Sequence, residues 1–477
     1  MWEKIMFFLP ELILAVTASN LLLFGVSGTQ KRTDIVRYIG IAALLLFAFS
    51  GFWLGMPTGS AFSGALIVDN YGHYAKMIIG LAAATALIFG RPYLMSEKLD
   101  KYEYTVLLLY AVLGMSIMVS ANNLLAIYIG IELQALALYI MAAWNRDSLR
   151  ASEAGLKYFV LGALSSGLLL YGLSMVYGFT GSLDFMRIGA VIGEGASPGL
   201  IAGMVFMLCG LGFKISAAPF HMWTPDVYEG SPTPVTGFFA GAPKFAAMIL
   251  IGRVLVGPFG GIEDQWQQVI IVFAVLSMFV GAIGALAQTN IKRLMAYSSI
   301  ANMGYALVPL AAGGEAGIRG MLIFMSIYVI TTVGIFACIL QMRIRNGMVE
   351  NISDLSGLSK TNTGLNVILS ILIFSLAGIP PLLGFFGKWF AFTAAADAGL
   401  IWLVVLALLA SVIGAFYYLR IIKTMWFDDV ENEFVEAPTS LRFITMASAL
   451  LIFPLMALPF MAQGTLGIIS QAAASLF

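Results

Sequence analysis

The sequence predicts an all-α polytopic membrane protein, and three observations carry that prediction. Of its 477 residues, 60% are hydrophobic and only 10% charged, against about a quarter charged in an ordinary soluble chain. Apolar runs of the ~20 residues needed to cross a bilayer recur from end to end, with no polar stretch long enough to fold as a separate water-soluble domain. Lys and Arg gather on alternate connections between these runs, as the positive-inside rule expects. The chain therefore reads as one transmembrane domain, 1–477, of about fourteen spans with both termini outside the cytoplasm.

The first span, near 5–26, is expected to stay as a helix and not be a cleaved leader, because its positive charges follow the apolar run and the run is span-length. Lys31, Arg32 and Arg37 place the next connection inside, ahead of span two at 36–56. Spans three (74–95) and four (104–121) are joined by an inner loop with Lys98 and Lys101. Spans five (123–143) and six (152–180) are joined by one with Arg146 and Arg150. Spans seven (199–228) and eight (233–256) follow. Lys292 and Arg293 mark the inner turn between spans nine (267–287) and ten (292–312), and Arg343 and Arg345 the end of span eleven (318–342). Spans twelve to fourteen are expected at 362–396, 399–427 and 440–472. Sixteen basic residues fall inside on this reading, and five outside: Lys4, Lys76, Arg187, Arg253 and Arg319. Lys157, Lys214, Lys244 and Lys388 remain within spans.

Lys214, in LGFKISAAPFHMWTPDVYEG, has no charged residue between Glu194 and Asp226. A lysine at mid-span costs several kcal/mol on insertion scales. Pro219 removes a backbone donor and breaks the helix five residues on, and broken helices are tolerated in membranes where the freed backbone faces protein or a water-filled cavity. The same arrangement returns in SLAGIPPLLGFFGKWF, where Pro380 and Pro381 break span twelve ahead of Lys388. Two interrupted helices, each carrying a buried lysine in matching parts of two chain halves, are the trace of inverted repeats. The repeats are expected at 104–256 (spans four to eight) and 262–427 (spans nine to thirteen), five spans each.

Glu132 has no charged neighbour between Glu103 and Arg146 and reads as the only carboxylate deep in a span. It is either a neutral packing acid or the partner of a buried lysine. Lys244 sits mid-span after Pro243, and Lys157 lies two turns into span six, within snorkelling reach of the inner interface. His221, just past the first break, is a proton carrier or a cap on broken backbone. Tyr297 reads as packing rather than relay, and the acidic run DDVENEFVE as a solvated loop.

Other chemistry finds little support. Cys209 and Cys338 stand alone in apolar spans, which removes a disulfide framework and a thiolate metal site. Two histidines do not suit a bis-histidine haem stack, and GFFGKW lacks the spacing of a phosphate loop. Protons or ions are left as the cargo.

The stretches KISAAPFHMWTPDVYEGSPTPV, RLMAYSSIANMGY and SLAGIPPLLGFFGKWF resemble the antiporter-like, proton-translocating subunits of bacterial NADH–quinone oxidoreductase, respiratory complex I, and the likeness runs through nearly the whole chain. It implies that Glu132 pairs with Lys214, that Lys244 is the central relay lysine and Lys388 the terminal one, and that Lys157 matches a further lysine on span six. Among the sister subunits, one type carries a long lateral helix after its last spans and another typically has a glutamate where Lys388 stands here, which points to the third. The resemblance further implies a bacterial inner-membrane location and partners among the membrane-arm and peripheral-arm subunits, with no nucleic acid. No cofactor is expected in this chain; NADH, FMN, iron–sulfur clusters and quinone belong to partner subunits. Subunits of multi-component sodium/proton antiporters share these motifs and stand as the alternative.

Overall fold

The computed structural model describes residues 7–26, 30–53, 58–344, 347–430, 434, 439–452 and 460–477. It is predominantly helical. In chain order come α1 (Leu9–Gly25), α2 (Gln30–Trp53), α3 (Asn70–Ser96), α4 (Tyr102–Ser120), α5 (Leu124–Ala142), α6 (Leu149–Thr180), α7 (Phe185–Glu194), α8 (Pro198–Lys214), α9 (Trp223–Gly230) and α10 (Thr233–Ala240). They are followed by α11 (Ala242–Val256), α12 (Glu263–Leu286), α13 (Ile291–Ala312), α14 (Gly314–Gln341), α15 (Leu358–Thr361), α16 (Thr363–Ala377), α17 (Leu383–Asp397), α18 (Ile401–Phe427), α19 (Thr439–Ile452) and α20 (Phe460–Ala474). Among the described residues, nine helical segments are long and apolar enough to cross a membrane.

Helix starts follow the capping chemistry of the sequence. Asp69 accepts from the Gly72 amide at 2.7 Å to begin α3, Asn123 from Ala126 at 2.7 Å to begin α5, and Asn290 from both Lys292 and Arg293 to begin α13. α2 begins six residues before the predicted edge of its span, because a helix can continue through its Lys31–Arg32 turn into the interface without exposing backbone to hydrocarbon. Two antiparallel hairpins, β1 (Gly59–Ala61) with β2 (Leu66–Val68) and β3 (Arg343–Ile344) with β4 (Gly347–Met348), and the amphipathic helix α7 had no counterpart in the sequence expectation. Lys4, Arg345, residues 453–459 within the expected last span and most of the acidic run lie outside the described residues.

The two predicted breaks are present. α8 ends at Lys214 itself, and residues 215–222 lead to α9; α16 ends at Ala377, and residues 378–382 lead to α17. Each non-helical stretch contains a cis X–Pro bond, Ala218–Pro219 and Pro380–Pro381. A third interruption was not expected: Gly241 (φ −104°, ψ −91°) separates α10 from α11. Side chains meet the backbone freed at the first break, where Ser277 Oγ accepts from the Ala218 amide at 2.8 Å and Trp223 Nε1 donates to the Phe213 carbonyl at 3.0 Å.

α10, α11 and α14 are buried nearly all round and form the centre, whereas α6 and α18 keep broad apolar faces outward. α11 is clamped at its far end, where Arg253 makes two bonds to the Asp69 carboxylate, at 2.7 and 2.9 Å, and a third to the Val119 carbonyl. Close helix crossings rest on glycine. A Cβ on Gly114 would lie 2.5 Å from the Gln134 nitrogen of α5, and one on Gly304 2.7 Å from the Met278 nitrogen of α12, which is how small residues let membrane helices approach. Gly304→Leu should therefore force α12 and α13 apart, cost about 1–3 kcal/mol or more, and lower both the yield of folded chain and its melting temperature in detergent. Gly178→Leu, at a position with nothing within 4 Å, should leave both unchanged.

Candidate functional site

Three lysines predicted within spans are buried: Lys214 at 8% exposure, Lys244 at 1% and Lys388 at 8%. Each stands at a helix interruption. Lys214 is the last residue of α8, Lys244 lies in the first turn of α11, and Lys388 is five residues into α17. Termination of α8 at Lys214 leaves that ammonium at the negative end of the helix dipole, while Lys244 faces the positive end of its own helix.

Their partners differ. Lys388 reaches back across the second break, donating to the Ala377 carbonyl at 2.9 Å and to Ser411 Oγ of α18 at 2.7 Å, with the Tyr305 ring 4.9 Å away. A carbonyl orphaned at the end of α16 is thus satisfied by the lysine itself. Lys244 donates to Ser299 Oγ of α13 at 2.6 Å and lies 5.1 Å from the centre of the Tyr228 ring. The same Ser299 oxygen is bonded to the Tyr328 hydroxyl of α14 at 2.7 Å. Tyr328, Asn302 and Lys388 together line a cavity of about 10 Å³, room for one water molecule on the usual measure of roughly 10–15 Å³.

Lys214 has no hydrogen-bond acceptor among the described residues. Glu132, midway along α5, is the carboxylate whose charge acts on it, but among the described residues no lysine nitrogen comes within 4.0 Å of a Glu132 oxygen. Glu132 is half-buried and its Oε1 is buried without a partner. The pairing implied by the family resemblance is therefore an open one in this structure. From Lys214 towards Lys244 the contacts are aromatic: Phe213 lies 5.5 Å from Trp223, which lies 6.3 Å from Tyr228.

Lys157 takes the interfacial course open to it: unlike the other three, its side chain is 41% exposed and paired at 2.7 Å with both Glu153 and Asp226. It lines a polar cavity of about 190 Å³ with Arg150, Asp226 and Glu229. Two turns of helix and a four-carbon stem suffice to bring its ammonium to solvent. Arg293 completes the cluster, 2.6 Å from Asp226 and 3.0 Å from Glu229. His221 lies in the turn between α8 and α9, with Nδ1 buried and unpartnered, so cap and carrier both remain open to it.

Glu132 is also not the only buried carboxylate in a span. Glu11 of α1 is 8% exposed, pairs with Lys76 at 2.7 Å and accepts from Ser116 at 2.6 Å. Glu11 sits close to a predicted span end, where a carboxylate reads as interfacial, and its partner lies two helices away. Lys292, assigned to an inner turn, is 7% exposed and donates to the Ser231 carbonyl at 3.0 Å. Ser299 and Tyr328 had a signal that went unused: Ser298–Ser299 interrupts a predicted span, and Ser326, Tyr328, Thr331 and Thr332 put four hydroxyls into one stretch of another.

Comparison with known proteins fits this geometry. The family profile described as NADH:quinone oxidoreductase/Mrp antiporter, transmembrane, matches residues 121–414, which takes in all three breaks and Lys157, Lys214, Lys244 and Lys388. NADH-quinone oxidoreductase subunit N of Maricaulis maris is 56% identical over 93% of this chain and 92% of its own length, and subunit N 1 of Rhizobium meliloti 50% identical over 98% and 97%. Among solved structures, a chain of respiratory complex I from Thermus thermophilus superposes with a TM-score of 0.83 at 33% identity, covering 97% of this chain and 99% of that one. A chain of the Mrp complex from Dietzia shares the fold, with a TM-score of 0.88 over 100% of this chain and 98% of that one, at only 20% identity. With buried lysines at helix breaks, a family profile spanning them, and relatives at half identity over nearly their full length, this chain belongs to the subunit N branch of the NADH:quinone oxidoreductase/Mrp antiporter membrane-subunit family.

Proposed function

We propose that this chain moves protons through the membrane arm of an NADH–quinone oxidoreductase, by way of Glu132, Lys214, Lys244 and Lys388, with Lys157 at the inner mouth and His221 beside the first break. The observation that carries the reading is the placing of three buried ammonium groups at three helix interruptions, two of them hydrogen-bonded to hydroxyls and one left facing a carboxylate. The chain acts as a translocase subunit without a redox site of its own. NADH, FMN, iron–sulfur clusters and quinone are held by partner subunits, whose reaction supplies the free energy.

Fourteen spans, ten of them in two inverted five-helix repeats at 104–256 and 262–427, are the architecture we assign. Its support is a correspondence of parts. The first two helices of each half approach closely at glycines, Gly114 against Gly130 in the first half, and in the second Gly281 against Ala301 and Gly304 against Met278, and the fourth span of each half is broken at a proline. Both termini are assigned to the periplasmic side of the inner membrane. A reporter fused after Phe477 should be active outside the cytoplasm, and cytoplasmic activity would overturn the count or the orientation.

The switch we assign is electrostatic. At an effective dielectric near 20, a pair ~4 Å apart gains about 4 kcal/mol and one ~8 Å apart about half that. Opening the Glu132–Lys214 pair withdraws about 2 kcal/mol, roughly 30-fold in proton affinity, and Lys214 then gives its proton towards Lys244. The open pair of this structure corresponds to the releasing arrangement.

Two sets of variants test this in NADH-driven proton pumping by sealed vesicles. Lys214→Ala should cripple pumping with the assembly intact, and Lys214→Arg should spare part of it; wild-type pumping by the alanine variant would remove Lys214 from the path. Glu132→Gln leaves the low-affinity state in place permanently, so its defect should deepen as protons become scarce with rising pH, and Glu132→Asp should fall between. Equal pumping by wild type and Glu132→Gln at every pH would rule the switch out.

A further inference from the structure

We infer that the hydroxyls of Ser299 and Tyr328 form the bridge by which a proton passes from Lys244 to Lys388. The inference rests on the relay reading above and adds to it the two groups that lie between the lysines. Among the described residues none on α11 or α17 spans the gap: there Lys244 bonds to Ser299, and Lys388 to its own break and to Ser411. Ser299 is 1% exposed and Tyr328 4%, so bulk water does not compete with them.

The geometry supplies each contact. Lys244 Nζ lies 2.6 Å from Ser299 Oγ, which lies 2.7 Å from the Tyr328 hydroxyl, and Tyr328 shares with Lys388 the wall of a cavity with room for one water. A hydroxyl is both donor and acceptor and turns about its C–O bond, so the Ser299–Tyr328 contact serves in either direction. When Ser299 accepts from both neighbours the bridge is closed to transfer. It opens when Ser299 points its O–H at Tyr328 and Tyr328 points its own into the cavity.

The protons balance. Lys244 loses one N–H to Ser299 Oγ as the serine hydroxyl proton bonds to the Tyr328 oxygen. The tyrosine proton passes by the cavity water to Lys388, where one N–H forms. Both hydroxyls end neutral, each with one hydrogen, and neither ionises. Lys388 receives the proton in its deprotonated form, in which its two hydrogen bonds use both N–H groups and the remaining tetrahedral position of the nitrogen is a lone pair.

The test is NADH-driven proton pumping, in vesicles holding the intact complex, by Tyr328→Phe, Ser299→Ala and Ser299→Thr, with Lys244→Ala alongside. The amount of assembled complex and the solvent deuterium isotope effect are measured in each. Tyr328→Phe keeps the ring and loses only the oxygen. It and Ser299→Ala should pump several-fold more slowly at normal assembly, with a larger isotope effect than wild type, while Ser299→Thr keeps at least half the rate. Wild-type pumping by Tyr328→Phe and Ser299→Ala, with Lys244→Ala impaired, would overturn the bridge alone. Wild-type pumping by Lys244→Ala would overturn the relay beneath it. Should Tyr328→Phe fail to assemble, the Ser299 variants decide: alanine slow and threonine active supports the bridge, and both at the wild-type rate overturns it.

Discussion

The organisation of this protein depends on one constraint: backbone polar groups freed by a break inside apolar surroundings must be met by protein, because each one left unmet costs several kcal/mol. At the second break the Ala377 carbonyl is met by Lys388, and at the first the Ala218 amide is met by Ser277. The groups that repair the backbone are thereby fixed in place at the membrane interior, and some of them are the groups that carry charge. A lysine that would be prohibitive on an intact lipid-facing helix becomes part of a satisfied network. On the proposed relay, structure and transport chemistry draw on the same side chains, so disturbing one disturbs the other.

The lysines are not equivalent links. Lys244 and Lys388 are each held by a hydroxyl at 2.6–2.7 Å, whereas Lys214 has only the field of Glu132 and the ring of its neighbour Phe213, 5.7 Å away. The bonded half of the path is organised for passing a proton through short hydrogen bonds. The unbonded half, lined by Trp223 and Tyr228, needs either solvent or movement to conduct. On the relay proposed above, that division puts the controllable step at the Glu132–Lys214 end, beside the non-helical stretch 215–222.

Much of this was legible in the sequence, and the reasons are physical. Spans show because hydrocarbon demands long apolar runs, and the breaks at Pro219 and Pro380 show because proline removes a donor. Lys214, Lys244 and Lys388 stand out because charge is rare in such runs. What could not be read was pairing across helices. Arg253 looks interfacial until Asp69, 184 residues away, is found against it, and Glu11 looks interfacial until Lys76 is. Gly241 gave no warning of an interruption, since glycine is common in membrane helices. Lys157 was legible as interfacial because depth along a helix axis is not depth of its ammonium.

The clamp between Arg253 and Asp69 has a mechanical meaning. α11 carries Lys244 at one end and Arg253 at the other, a rod of about 20 Å by the rise of 1.5 Å per residue. With the guanidinium held by two bonds to Asp69 at the start of α3 and one to Val119 of α4, the rod is grounded against earlier helices of the chain, and α14 packs on its flank. On the proposed switch, displacement of Glu132 from Lys214 falls to α5, α8 and α9, with α11 as the reference against which they move. Coordinates of turnover states aligned on α11 would show motion concentrated upstream of Gly241 in the chain, and the position of Lys244 would serve as the origin from which every other donor–acceptor distance in the path is gauged.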